Sequence, residues 1–156
     1  MIVEMGVYRL DIDVDRTREF YAHEQWFGCG CSGCKNYERA VSVLPETVRA
    51  FLEQFGIDPG KPAEIAVLHS PDGRTILYNG FFHICGSLIE GNDPWIQTKA
   101  KSFRLKEAYQ ISVDEDCSAY IVEKCSLLED DFPRPAVQLD ITIPLPWLLD
   151  EPNPYV

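Results

Sequence analysis

The stretch Ala136–Ile143, AVQLDITI, places Val137, Leu139, Ile141 and Ile143 at every second position. A period of two marks a β-strand with one face turned to a core, because successive side chains leave a strand on opposite sides. Upstream, Val7 to Asp15 repeats the pattern, with Tyr8, Leu10, Ile12 and Val14 on one face and Arg9, Asp11, Asp13 and Asp15 on the other. Thr17 to His23 is less regular, and a strand that continues and a chain that bends away both fit it. Glu64 to Ser70, Thr75 to Tyr78, Phe81 to Cys85, Ala108 to Val113 and Ala119 to Lys124 read as further strands. Pro71-Asp72-Gly73 is a turn signal between the first two of these. Asn79-Gly80 either closes a second hairpin or marks a bulge within one longer strand.

Two segments carry the helical period instead. Over 45–55, Val48, Phe51, Leu52 and Phe55 form one apolar stripe; Pro45 suits a first turn and Gly56 the position just past the end. Over 36–44, Tyr37, Ala40, Val41 and Leu44 share a face, and β-branched Val41 and Val43 limit this helix to one or two turns. Ile57 to Pro62 is a stiff link, since its two prolines fix φ and lack a donor. Gly91-Asn92-Asp93-Pro94 breaks the chain, while Asp114 to Asp116 and Glu129 to Pro135 connect strands. The expected fold is α+β: a mainly antiparallel sheet of six to eight strands, with the helix over 45–55 and the short one over 36–44 on one face or end. No internal repeat or linker divides residues 1–156, so a single domain is expected.

Composition narrows the partners. Asp and Glu outnumber Lys and Arg 25 to 14, and the formal charge of −11 opposes approach to nucleic acid and anionic lipid. The first residues, MIVEMGVYRLDIDV, lack the basic and apolar regions of a secretory signal, and no apolar run approaches a membrane span. A cytoplasmic setting is therefore expected, where cysteines stay reduced and a dense group of them points to metal or redox use ahead of disulfides.

Such a group exists. Cys29, Cys31 and Cys34, half of the chain's six cysteines, fall within WFGCGCSGCKNY, residues 26–37. A zinc ion takes four soft or borderline donors, and the C-x-x-C turn of Cys31-Ser32-Gly33-Cys34 brings two thiolates together, with Gly33 permitting a tight backbone. Cys29 is the third candidate. A fourth must come from elsewhere, and His83 or Cys85, two apart on one face of an expected strand, or His23, can provide it. For Cys85, Cys117 and Cys125 burial as small apolar side chains is the simpler account.

The pieces C-x-C-x-x-C-x-N (Cys29 to Asn36), L-P-x-x-V-x-x-F-L (Leu44 to Leu52), G-I-D-P-x-K-P-x-E (Gly56 to Glu64) and Y-x-G-F-F-H-x-x-G (Tyr78 to Gly86) resemble a group of small bacterial proteins. The resemblance spans about residues 26–90 and brings no activity with it. It implies that the cysteine turn, the helix and the strand bearing His83 occur as a set, favouring His83 over His23 and His69 as partner of Cys29, Cys31 and Cys34.

Other residues receive plainer readings. Asp11, Asp13, Asp15 and Asp140 fit the solvent face of their strands better than paired catalytic carboxylates, and His69 fits a core or boundary position. Lys99, Lys101, Arg104 and Lys106 form a solvated basic face. Trp26-Phe27, Phe81-Phe82, Trp95 and Trp147 would mark a recognition site if they clustered at the surface, whereas core packing accounts for most of them. No nucleophile-elbow, P-loop, dinucleotide-binding or zinc-protease motif is present. The expectation is a non-enzymatic module that binds another protein, such as an inhibitor or immunity-type factor, with a zinc-stabilised cysteine turn. A zinc-dependent enzyme with an open metal position and a thiol redox protein using Cys31 and Cys34 are the alternatives.

Overall fold

A computed structural model describes residues 1–26, 28–91, 94–105 and 107–156. Phe27 of the aromatic set, Asn92 and Asp93 of the expected chain break, and Lys106 of the basic group lie outside the described residues. The fold is α+β, built on an antiparallel sheet of seven strands. Its axis is a pair of long strands, β4 (Thr75–Glu90) and β9 (Ala136–Pro146). They face each other in one continuous register, with Ile76 opposite Leu145, Tyr78 opposite Ile143, Phe82 opposite Leu139 and Ile84 opposite Val137. All eight side chains are at most 1% exposed. The alternation in AVQLDITI thus meets a matching alternation across the ladder, and each pair closes part of one apolar layer.

Around this pair the sheet runs β1 (Ile2–Met5), β2 (Tyr8–Ile12), β4, β9, β8 (Cys117–Val122) and β7 (Ile111–Asp114). The strand β3 (Glu64–His69) shares an edge of β4 with β2, pairing with the first part of β4 while β2 pairs with the last. A separate ribbon joins β5 (Trp95–Gln97) to β6 (Phe103–Leu105). Asn79-Gly80 does not turn: β4 runs straight through it. Glycine is needed there because a Cβ at Gly80 would lie 2.6 Å from Ile65 Cδ1 and 2.9 Å from the carbonyl oxygen of Glu64, on neighbouring β3.

Among the described residues, three α-helices accompany the sheet. The first, α1 (Val14–His23), replaces the end of the strand expected over Val7 to Asp15 and takes in the unassigned Thr17 to His23. Asp13 ends the strand by accepting the Arg16 N–H on its side chain at 3.0 Å, an N-cap that turns the chain into a helix. The short helix expected over 36–44 begins earlier, as α2 (Ser32–Ala40), and continues into a 3-10 turn, Val41–Val43. The stripe over 45–55 forms α3 (Glu46–Glu53). It closes through Gly56, at φ +83°, with Ile57 N–H donating to the Leu52 carbonyl and Gly56 N–H to that of Glu53. Tyr37, Ala40, Leu44, Val48, Leu52 and Phe55 carry α2 and α3 into the same core as the β4 and β9 layer.

Three further expectations are corrected. Asp140 is 8% exposed rather than on a solvent face, and accepts from Gln138 Nε2 at 2.9 Å. His69 is exposed on β3 rather than in the core. Ala108 lies in a 3-10 turn, Glu107–Tyr109, that precedes β7, so that strand starts later than the sequence suggests.

Candidate metal centre

The link between α1 and α2 carries Cys29, and α2 itself places Cys31 and Cys34. Gly30, at φ +86° with open space where a Cβ would project, makes the turn between Cys29 and Cys31. Cys31 is the N-cap of α2: its sulfur accepts the Cys34 N–H at 3.4 Å. Cys34 then falls in the first helical turn, half-buried, beside Gly28, whose missing Cβ would otherwise lie 2.7 Å from Cys34 Cβ. Gly33 serves packing more than backbone tightness: a Cβ there would meet Val67 Cγ2 at 2.7 Å and the Tyr155 hydroxyl at 2.9 Å.

These constraints bring the three sulfurs together. Cys29 Sγ lies 2.9 Å from Cys31 Sγ and 3.5 Å from Cys34 Sγ, and all three fall within 4.8 Å of one another. Zinc with Zn–S bonds of about 2.3 Å in tetrahedral geometry separates its sulfurs by roughly 3.8 Å, so small side-chain adjustments suffice to place an ion between them. The three cysteines can therefore hold a metal ion.

The electrostatics of the three thiols are unequal. Hydrogen bonds from the Cys29 thiol and then from the Cys34 backbone lower the Cys31 thiol to about 7, since both favour its thiolate. Burial, foremost, pushes the Cys34 thiol up to about 12. Cys29 and Cys31 are exposed, so the cluster opens to solvent on their side.

Behind the cysteines, α2 is locked to the sheet by a buried polar cluster. Asn36 Nδ2 donates to the Tyr78 hydroxyl at 3.1 Å and to the Pro146 carbonyl at 3.0 Å, while Asn36 Oδ1 accepts from Leu148 N–H at 2.7 Å. The Tyr78 hydroxyl donates in turn to the Gly33 carbonyl at 2.7 Å, and the Tyr155 hydroxyl accepts the Gly33 N–H at 3.1 Å. The Trp26 ring packs edge-on against Tyr37, 5.8 Å between centroids. Helix, sheet and C-terminal segment thus converge on the peptide units between Cys31 and Cys34.

His83 stands apart from this group. Among the described residues, the His, Cys, Asp and Glu side chains close enough to share an ion are Cys29, Cys31 and Cys34. The His83 ring is buried, packs against Phe81 and Phe132, and its Nε2 meets the Ser126 carbonyl at 2.9 Å. Cys85 is buried beside Thr17, whose hydroxyl accepts its N–H, and His23 is exposed with Nδ1 at 2.9 Å from the Glu19 carbonyl. Trp26 and His83 do share a cavity of about 510 Å³ with Tyr21, Glu24 and Lys61. Tyr78 and Tyr155 were not singled out for this site from the sequence; nothing near Tyr155 marks it, because its role comes from a contact across more than a hundred residues.

Comparison of the chain with protein-family models, with curated proteins and with solved structures finds no match in any of the three. Among the described residues, no helix is long and apolar enough to cross a membrane.

Proposed function

We propose that Cys29, Cys31 and Cys34 bind a zinc ion that fixes the link between α1 and α2, and that the protein is a non-enzymatic module acting by binding another protein. The observation that carries this reading is the convergence of three sulfurs within 4.8 Å on a scaffold pinned by buried hydrogen bonds. A zinc ion there would tie the link between α1 and α2 to a helix that is already anchored, which is the role of structural zinc. The resemblance to small bacterial proteins belongs to the same reading, in which the cysteine turn travels with α2, α3 and β4. The net charge of −11 suits a basic partner, as an inhibitor or immunity-type factor in the cytoplasm would meet.

Metal analysis of protein purified without chelator or added zinc tests the first half: near one equivalent of zinc is expected, and metal-free protein of undiminished stability would refute it. The thiol redox reading has one specific observation in its favour, the Cys31 thiol lowered to about 7 beside Cys29 at 2.9 Å. That contact points to Cys29 as the partner of Cys31 in place of the Cys34 expected from the sequence, and the reading predicts metal-free protein with a reducible Cys29–Cys31 bond.

A further inference from the structure

We infer that the ion's fourth coordination position is filled from outside the chain, by a thiolate donor. The inference rests on the zinc reading above and deepens it. A structural zinc site closes with four protein donors, yet the group here contains three, and no fourth His, Cys, Asp or Glu of the described residues joins them. The obvious internal candidate is spent elsewhere, since His83 is buried with its Nε2 on the Ser126 carbonyl. The vertex left open has a direction. On the Cys34 side, Gly28 packs against the side chain, whereas Cys29 and Cys31 are exposed. A ligand must therefore arrive from solvent, past Cys29 and Cys31.

Thiolate is favoured over an activated water at that vertex. Three thiolates already leave a Zn(II) centre with net charge −1, which weakens its pull on a bound water, and among the described residues no carboxylate or imidazole joins the three sulfurs as a ligand. A fourth soft donor completes an all-thiolate tetrahedral site with no such requirement. Binding is a simple exchange: the incoming thiol gives its proton to solvent, its sulfur forms a bond to the metal, any bound water leaves, and no electrons are transferred. The thiol can belong to a partner protein's cysteine, to a second copy of this chain, or to a small-molecule thiol.

Cobalt(II), loaded into the intact chain in place of zinc with a phosphine as the reductant, reports on the site through its visible d–d and sulfur-to-cobalt bands. Added 2-mercaptoethanol is expected to shift and intensify these bands saturably, as a fourth thiolate joins three. A cysteine-containing peptide and its serine counterpart separate the sources: tighter response to the cysteine peptide than to 2-mercaptoethanol indicates a protein donor, and equal response a small thiol. Cobalt-dependent doubling of the mass in sedimentation, without added thiol, marks a second copy as the source. Cobalt-loaded protein that remains monomeric and whose spectrum ignores every thiol overturns this inference alone. Protein that binds neither cobalt nor zinc overturns the metal reading and this inference with it.

Discussion

The phenol of Tyr21 holds both backbone groups of His83: it donates to the His83 carbonyl and accepts the His83 N–H, each at 2.9 Å. At this point β2 and β3 leave part of the β4 edge unpaired, and α1 fills it. Thr17 Oγ1 accepts the next edge N–H, from Cys85, at 2.9 Å, and Asp13 N–H donates to the Cys85 carbonyl at 2.8 Å. Side chains of a helix thus stand in for a missing strand, satisfying donors and acceptors that burial would otherwise strand. Tyr21→Phe removes both bonds at His83 while keeping the ring. A loss of roughly 2–4 kcal/mol is expected in denaturant unfolding, from two buried backbone groups left without partners. A loss below about 0.5 kcal/mol would mean that the edge is satisfied in another way.

His83 gives a pH signature. Burial, above all, holds its imidazole below the ordinary value of 6.5, only partly offset by the Ser126 carbonyl and Gln138. The folded state therefore favours the neutral ring, and the unfolded chain takes up the proton first as pH falls. Stability from this residue is fully present above pH 6.5 and declines below it, through the folded value. His83→Gln, which keeps a donor for Ser126, should flatten the decline of stability with falling pH below 6.5. Its zinc content should equal that of the parent. Loss of zinc in a folded His83→Gln protein would restore His83 as a ligand.

How far the sequence led can be judged from particular residues. The alternation in Ala136–Ile143 and the stripe Val48, Phe51, Leu52, Phe55 are local signals that burial merely executes, and both elements formed where expected. α1 was hidden because Tyr8, Leu10, Ile12 and Val14 keep the strand period up to its first residue. The usable clue was Asp13 as a cap, followed by Val14, Thr17 and Tyr21 on one helical face. Gly80 left two readings open for a related reason: Asn-Gly is a turn signal when backbone freedom is at issue, and in the one longer strand that forms the glycine makes room for Ile65. The convergence of the cysteine sulfurs followed from spacing together with the turn at Gly30 and the cap at Cys31. The fourth donor did not, because whether His83 reaches them depends on strand placement that no local pattern encodes.

Asn36 offers the third test. Its side chain binds Tyr78, Pro146 and Leu148, which joins α2 to both long strands at the level of the cysteines. Asn36→Ala leaves the Leu148 N–H and the Pro146 carbonyl short of partners and should cost about 2–4 kcal/mol by denaturant unfolding. If the anchored helix also holds the ligands in place, zinc affinity measured by chelator competition should fall in the same variant at temperatures where it remains folded. Unchanged affinity would separate the anchor from the metal centre.

The last prediction compares two cysteines that differ in surroundings. Cys34 sits beside Cys29 with 3.5 Å between sulfurs, whereas Cys117 is the first residue of β8 and buried in the core, away from any such group among the described residues. Cys34→Ser removes one of three proposed ligands, replacing a sulfur with a harder and shorter donor; zinc content should fall well below one equivalent and the melting temperature should drop. Cys117→Ala removes only packing, so it should cost on the order of 1 kcal/mol and leave the zinc content intact. The contrast matters because either change alone could lower stability. Should both variants retain zinc equally, or both lose it, the centre at Cys29, Cys31 and Cys34 would no longer account for the metal, and the cysteine-rich turn would have to be explained by packing.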